Sequence, residues 1–341
     1  MNIYDIAKLA GVSPRTVTRA FQKDSPINER TRELVLKIAA ENGYRPNTIA
    51  GRIRGKTFCI AAVSVGPVEI FMRRVRDGFA AAGDSLKDYK TELSIRSFPD
   101  MESFGREVPE FFTGTVDGMV IGSSEPIPEK IASFLSERRT PVMTTLAGGD
   151  GISENDFRLG DVSVDTELKG RLAGNFLSLL RPGGRYGIFT GDMATAHHRS
   201  CLNGFREEAR EYGAASVTVW DTKDDPDVAA RLADECMREE EPYDGIFFAS
   251  ANSVPALERF RAKNYRPAVV ASDVFPRMSD YLRDRTVLAT VFQNPEEQGR
   301  LAVMSLYAWL ADGMPPERVR KVTPQLVLKA DLPVYEDNGT E

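Results

Sequence analysis

The chain has 341 residues, 28 % of them charged, and a formal net charge of −6. That length suffices for more than one domain with a sizeable core. No run of 18 apolar residues occurs, which argues against a membrane-spanning helix, and three widely spaced cysteines argue against a disulfide scaffold.

The charge is uneven. Residues 1–56 carry eleven Lys and Arg against five Asp and Glu, a net +6, which leaves −12 for the remainder. A basic head on an acidic body suits a protein whose head alone meets phosphate.

Within the head, Ile3, Ile6, Ala7, Leu9 and Ala10 recur at helical spacing. Gly11 follows, where a left-handed residue ends a helix at little cost. Ser13 can cap the next helix and Pro14 fits its first position, where no amide hydrogen is needed. Val12, Val17, Ala20 and Phe21 point inward, while Arg15 and Arg19, four residues apart, share an outward face. Asn28 can cap a third helix with Leu34, Val35, Ile38 and Ala39 on its apolar face. Two arginines on the outer face of the second helix of a helix-turn-helix are what reading the major groove requires.

The segment Asn2-Ile-Tyr-Asp-Ile-Ala-Lys-Leu-Ala-Gly-Val-Ser, then Thr16-Val-Thr-Arg19, Thr31-Arg32 and Gly43-Tyr-Arg-Pro-Asn47, closely resembles the head of the lac repressor family, in order and without gaps. The resemblance implies that Pro14, Arg15 and Arg19 read bases, that Ser13 and Thr16 contact phosphates, and that Asn47 also lies at the DNA. It makes residues 1–45 the DNA-binding domain and 46–57 a hinge that becomes helical when two copies meet on DNA. Ile53 matches the family's minor-groove wedge, usually Leu. Gly51 stands where Arg is usual, which lowers helix propensity by about 1 kcal/mol relative to Ala.

From Phe58 the pattern changes. Phe58-Cys-Ile-Ala-Ala-Val-Ser-Val is a continuous apolar run bounded by Gly66-Pro67, as in a buried parallel strand. Further strands are expected at 93–98, 118–121, 142–146, 162–164, 186–190, 216–220, 245–249, 268–272, 288–291 and 326–328, with helices between most of them. The expected fold class is therefore α/β, two doubly wound subdomains behind a small all-α head. The resemblance implies the periplasmic-binding-protein type I architecture for 58–341. The chain would cross near residues 162, 291 and 323, giving one subdomain of about 58–162 with 292–322 and another of about 163–291 with 323–333.

An effector would lie between the subdomains, at the carboxyl ends of strands. By family spacing, Arg199 ahead of Gly204-Phe205 matches the ligand-binding arginine. Asn252 ends a strand, with Ser253 in place of the usual Asp, Asp273 matches the hydroxyl-accepting aspartate, and Gln293 the crossover glutamine. Phe71 sits where an aromatic stacks on a sugar. Asp165 opens the crossover helix, as a ligand or as its cap. That set suits a sugar or polyol, with a sugar acid or sugar phosphate left open.

Cys59, Cys201 and Cys236 read as reduced core thiols. The adjacent His197 and His198 read as loop residues near the cleft mouth, since neighbouring side chains rarely converge on one ion. No phosphate-binding loop or nucleophile motif occurs, so no enzyme activity, metal or cofactor is expected. The absence of a leader points to the cytoplasm. The expected protein is a homodimeric regulator, a repressor by family, that binds a pseudo-palindromic double-stranded operator under control of a small effector and has no membrane partner. The alternative is a cytoplasmic sugar-binding protein whose head holds DNA without sequence preference.

Overall fold

The computed structural model describes residues 3–21, 25, 27–41, 56–147 and 157–336. The hinge positions Asn47, Gly51 and Ile53 lie outside the described residues.

Three helices form the head: α1 (Ile3–Ala10), α2 (Pro14–Ala20) and α3 (Glu29–Glu41). Gly11 sits at φ +65° and the Val12 amide donates to the Ala7 carbonyl at 2.9 Å, closing α1 with a left-handed cap. Ser13 then starts α2, its Oγ accepting from the Thr16 amide at 3.1 Å. Ile6, Ala7, Ala10, Val17, Ala20, Val35 and Ala39 make the buried core. Arg32 is more than a surface charge. Its guanidinium donates to the Ala20 carbonyl at 3.2 Å and the Ser25 carbonyl at 3.1 Å, tying α3 to the end of α2.

The remaining chain builds two six-stranded sheets. The first contains β1 (Phe58–Val65), β2 (Thr91–Phe98), β3 (Gly118–Gly122), β4 (Val142–Thr145), β5 (Arg158–Val164) and β11 (Val319–Val322) in the order β11-β5-β4-β3-β1-β2, all parallel. The second contains β6 (Arg185–Thr190), β7 (Ser216–Asp221), β8 (Gly245–Phe248), β9 (Ala268–Ser272), β10 (Ala289–Phe292) and β12 (Gln325–Leu328) in the order β12-β10-β9-β8-β6-β7. Only β12 runs antiparallel, along β10. The chain passes from sheet to sheet after Val164, after Phe292 and between Val322 and Gln325.

Both faces of each sheet are covered at its centre, which is why the inner strands read as largely apolar runs. In β1, Ile60 and Ala62 face α4 (Glu69–Leu86) and α12 (Pro295–Asp312), while Ala61, Val63 and Val65 face α5 (Met101–Phe111) and α6 (Glu129–Glu137). In the second sheet Ile188 and Phe247 face α7 (Thr166–Leu180) and α8 (Ala196–Glu211). Phe189 and Phe248 face α9 (Pro226–Cys236), α10 (Val254–Ala262) and α11 (Pro276–Arg283). Strand β11 was not expected from the sequence. Val-Arg-Lys-Val has no apolar run because it is an edge strand whose Arg320 and Lys321 reach solvent.

Two helix pairs touch through glycine. A β-carbon on Gly78 of α4 would stand 2.0 Å from the Glu296 carbonyl oxygen, and one on Gly299 of α12 would stand 2.4 Å from that of Val75. A β-carbon on Gly170 of α7 would stand 1.9 Å from the Cys201 carbonyl oxygen, and one on Gly204 of α8 would stand 2.1 Å from that of Glu167. The second crossing sets where α8 begins, and with it one wall of the site.

Candidate functional site

A cavity of about 220 Å³ lies between the two sheets at the carboxyl ends of their strands. The first unit contributes Pro67, Val68, Phe71 and Met72 after β1, Glu125 after β3, Leu146 after β4 and Val164 at the end of β5. The second contributes Asp192, Thr195, His197, His198, Lys223, Asp224, Ser250 and Lys169, and Gln293 enters from a crossover. One wall is thus largely apolar and the other polar. Pockets for drug-sized ligands measure about 300–1,000 Å³, so this smaller space suits a ligand nearer the size of one sugar ring.

The polar wall is built in layers. Thr195 caps α8, and its Oγ1 accepts from the His198 amide at 3.5 Å. His197 and His198 therefore lie in the first turn of α8, not in a loop. The helix begins there because Thr195 supplies the cap that a histidine cannot. His198 is 6 % exposed, its Nε2 lies 3.2 Å from an Asp224 carboxylate oxygen, and its Nδ1 accepts from the Gly191 amide at 3.3 Å. That assigns the ring proton to Nε2. Asp224 also accepts from Ser250 Oγ at 2.8 Å and the Asp192 amide at 3.1 Å. Burial alone would raise its pKa, but the hydrogen bond from His198 together with those two donors holds it well below the ordinary carboxylate range. Lys223 and Asp224 both adopt left-handed backbone, φ +56° and +57°. Two adjacent non-glycine residues there cost roughly 1–2 kcal/mol each, a strain that sites keep when it aims a side chain.

His197 is held neutral. Burial lowers its pKa furthest, with help from neighbouring His198 and Lys169, and its Nδ1 is buried with no hydrogen-bond partner. Across the cavity Glu125 is pushed the other way, its pKa raised by burial and by the negative charges of Asp100 and Asp224.

The residues expected at the site fall in three groups. Phe71 and Gln293 line the cavity. Asp273 and Asn252 lie behind the lining. Asp273, 2 % exposed, accepts from the Gln293 amide at 3.0 Å and its Nε2 at 2.6 Å, so it orients the glutamine. Burial raises its pKa, against the pull of Lys169. Asn252 donates to Thr222 Oγ1 at 3.0 Å. Asp165 and Arg199 point elsewhere. Asp165 caps α7, accepting from the Leu168 amide at 3.1 Å, and meets Lys321 at 3.2 Å. The exposed Arg199 donates to the Met193 and Ala194 carbonyls at 3.0 and 2.5 Å. In the head, Arg15 is exposed, Arg19 is half-buried, and Ser13, Pro14 and Thr16 form the start of α2.

Four residues were missed in the sequence. Gln298 of α12, wholly buried, accepts from the Val164 amide at 2.9 Å and donates to the Gln293 carbonyl at 2.8 Å, so it clasps two crossovers. Glu125 and Asp224 sit in loops with nothing to single them out. Lys169 did carry a signal. With Ala173 and Leu177 it falls on the inward face of α7, at i, i+4 and i+8, where a charge is out of place.

The fold is that of a periplasmic binding protein carrying a helix-turn-helix head. Residues 60–313 match the periplasmic binding protein domain, and residues 2–47 match the bacterial regulatory proteins of the lacI family. Over most of its length the chain belongs to the periplasmic binding protein domain family, and it carries a lacI-family head in front of that domain. Catabolite control protein A of Streptococcus mutans serotype c is 28 % identical over 167 residues, covering 48 % of this chain and 47 % of that protein. The HTH-type transcriptional regulator DegA of Bacillus subtilis is 26 % identical over 223 residues, covering 62 % and 61 %. The match thus spans about half to three-fifths of these curated relatives. The crystal structure of GanP, a glucose-galactose binding protein from Geobacillus stearothermophilus, superposes with a TM-score of 0.71 at 20 % identity, over 82 % of this chain and all of that one. At that identity the likeness shows fold alone.

Proposed function

We propose that this protein is a DNA-binding transcription regulator, a repressor, controlled by a small polar effector of the sugar or polyol class bound between its two sheets. The observation that carries the reading is the pairing, on one chain, of a capped helix-turn-helix with exposed Arg15 and half-buried Arg19 and a two-sheet cleft with one apolar and one hydrogen-bonding wall. One matched relative, DegA of Bacillus subtilis, is named as an HTH-type transcriptional regulator, which supports the regulatory role over an enzymatic one. The thiols support the same choice. Burial pushes Cys201 up to about 11 and Cys236 up to about 12, so neither supplies a nucleophilic thiolate near neutral pH.

In this reading a dimer sets two copies of α2 into successive major grooves of a pseudo-palindromic operator in the cytoplasm. Residues 46–57 serve as the hinge, with Asn47 and Ile53 at the DNA. Effector acts by favouring one relative position of the sheets over another, since a ligand indifferent to the two shifts nothing. Selection of bound duplexes from a random pool tests it. The expected product is a pseudo-palindrome, and Arg19→Ala should cost about 1–3 kcal/mol at one base position of each half-site. Retention of DNA with steep salt dependence but no preferred sequence would instead support the sugar-binding protein with non-specific DNA affinity.

A further inference from the structure

Lys169 is the least exposed charged side chain facing the cavity, at 1 %. Its ammonium has three donors, and one is used, on the Ala249 carbonyl at 2.7 Å. Among the described residues no carboxylate lies within 4 Å of it. Nearby acids are committed elsewhere. Asp224 holds His198 and Ser250, and Asp273 holds the amide and side chain of Gln293. Asp192 and Asp221 share Lys223, at 3.0 and 2.6 Å from its Nζ. Beside Lys169 stands His197, whose Nδ1 has no partner, in the first turn of α8, where free amides favour negative charge.

A desolvated ammonium that feels Asp273 only at a distance, with no ion pair within 4 Å, is costly unless a partner arrives. We propose that the effector carries an anionic oxygen group, a carboxylate or a phosphate, and that Lys169 receives it. The assignment rests on the reading of the cleft as an effector site. It narrows the class from sugars and polyols in general to their acids or phosphates. The ring of such a ligand would lie on Phe71 and Met72, its hydroxyls toward Glu125 and Gln293, and its anion between Lys169 and the start of α8.

The test is calorimetric titration and thermal unfolding of the full chain with D-glucuronate, D-galacturonate, D-gluconate and D-glucose 6-phosphate, set against D-glucose, D-galactose and myo-inositol. An anionic compound should bind at least tenfold tighter than its neutral parent, and Lys169→Met and Lys169→Gln should each remove at least that tenfold. Binding by the acids identifies a carboxylate, and binding by the hexose phosphate identifies a phosphate. A neutral sugar binding as tightly as its acid, or binding unaffected by either variant, overturns the anion assignment and leaves the effector site standing. Silence across the whole panel counts against the effector site itself. Ligand-free Lys169→Met is a second readout, with an unchanged or higher melting temperature expected. A fall of more than about 5 °C would mark Lys169 as structural and overturn the proposal.

Discussion

Gly170→Ala examines the packing on which the polar wall depends. An added β-carbon would stand 1.9 Å from the Cys201 carbonyl oxygen and 2.8 Å from the Phe205 amide nitrogen. Both are backbone atoms of α8 and cannot swing aside as a side-chain tip can. Alanine should gain about 1 kcal/mol in helix propensity over glycine. Against that, overpacking of a tight core costs about 1–3 kcal/mol and more when the obstacle is backbone. The net expectation is a loss of about 2 kcal/mol, since α7 and α8 must move apart. For a unit of this size that is a fall of roughly 4–8 °C in melting temperature. The same movement displaces His197 and His198 from Lys169, so effector affinity should fall too. Differential scanning calorimetry reads the first effect and titration the second. Gly114→Ala is the control, because nothing lies within 4 Å of its β-carbon position. A melting temperature for Gly170→Ala equal to or above that of the parent would refute the close-crossing argument.

His197→Gln addresses pH. The folded protein keeps His197 neutral, its pKa well below the ordinary value, so on acidification the unfolded chain takes up the proton first. Stability present above about pH 6.5 should then be lost at up to about 1.4 kcal/mol per pH unit below it. The variant should flatten that limb in urea melts, and an unchanged slope would contradict the assignment. Arg74→Ala addresses the contact between the units. Arg74 of α4 pairs with Glu296, donates to the Val274 carbonyl of the second unit, and lies 4.9 Å from the Phe292 ring centroid. Removing it leaves Glu296, whose pKa burial already raises, without its cation. We expect a loss of roughly 1–3 kcal/mol, below the usual figure for buried pairs because Glu296 can escape by protonating. A urea midpoint unmoved by the substitution would show that the contact contributes nothing.

Much of the molecule was written locally. The turn of the head is set by Gly11, Ser13 and Pro14, three neighbours whose backbone preferences need no tertiary help. The β1 run is legible because a strand covered on both faces is mostly apolar, and its one buried polar side chain, Ser64, accepts from Arg76 at 3.0 Å. Strand β11 was not, because an edge strand is free to carry Arg320 and Lys321. Gln293 was found through its spacing in a crossover, but its partner Gln298 has no such mark, being a glutamine in the first turns of a helix.

The sequence by itself determined the head, the alternation of strands and helices, and the split between basic head and acidic body, since each depends on near neighbours or on totals. The tertiary structure decided which side chains meet. His198 finds Asp224 across 26 residues, Lys169 reaches Ala249 across 80, and Arg74 reaches Val274 across 200. It also turned Arg199 toward its own loop and placed Asp165 as a cap. A side chain's partner depends on where distant strands end and how closely two helices cross. That closeness is set by Gly170 and Gly204, whose missing side chains leave the polar wall room to form.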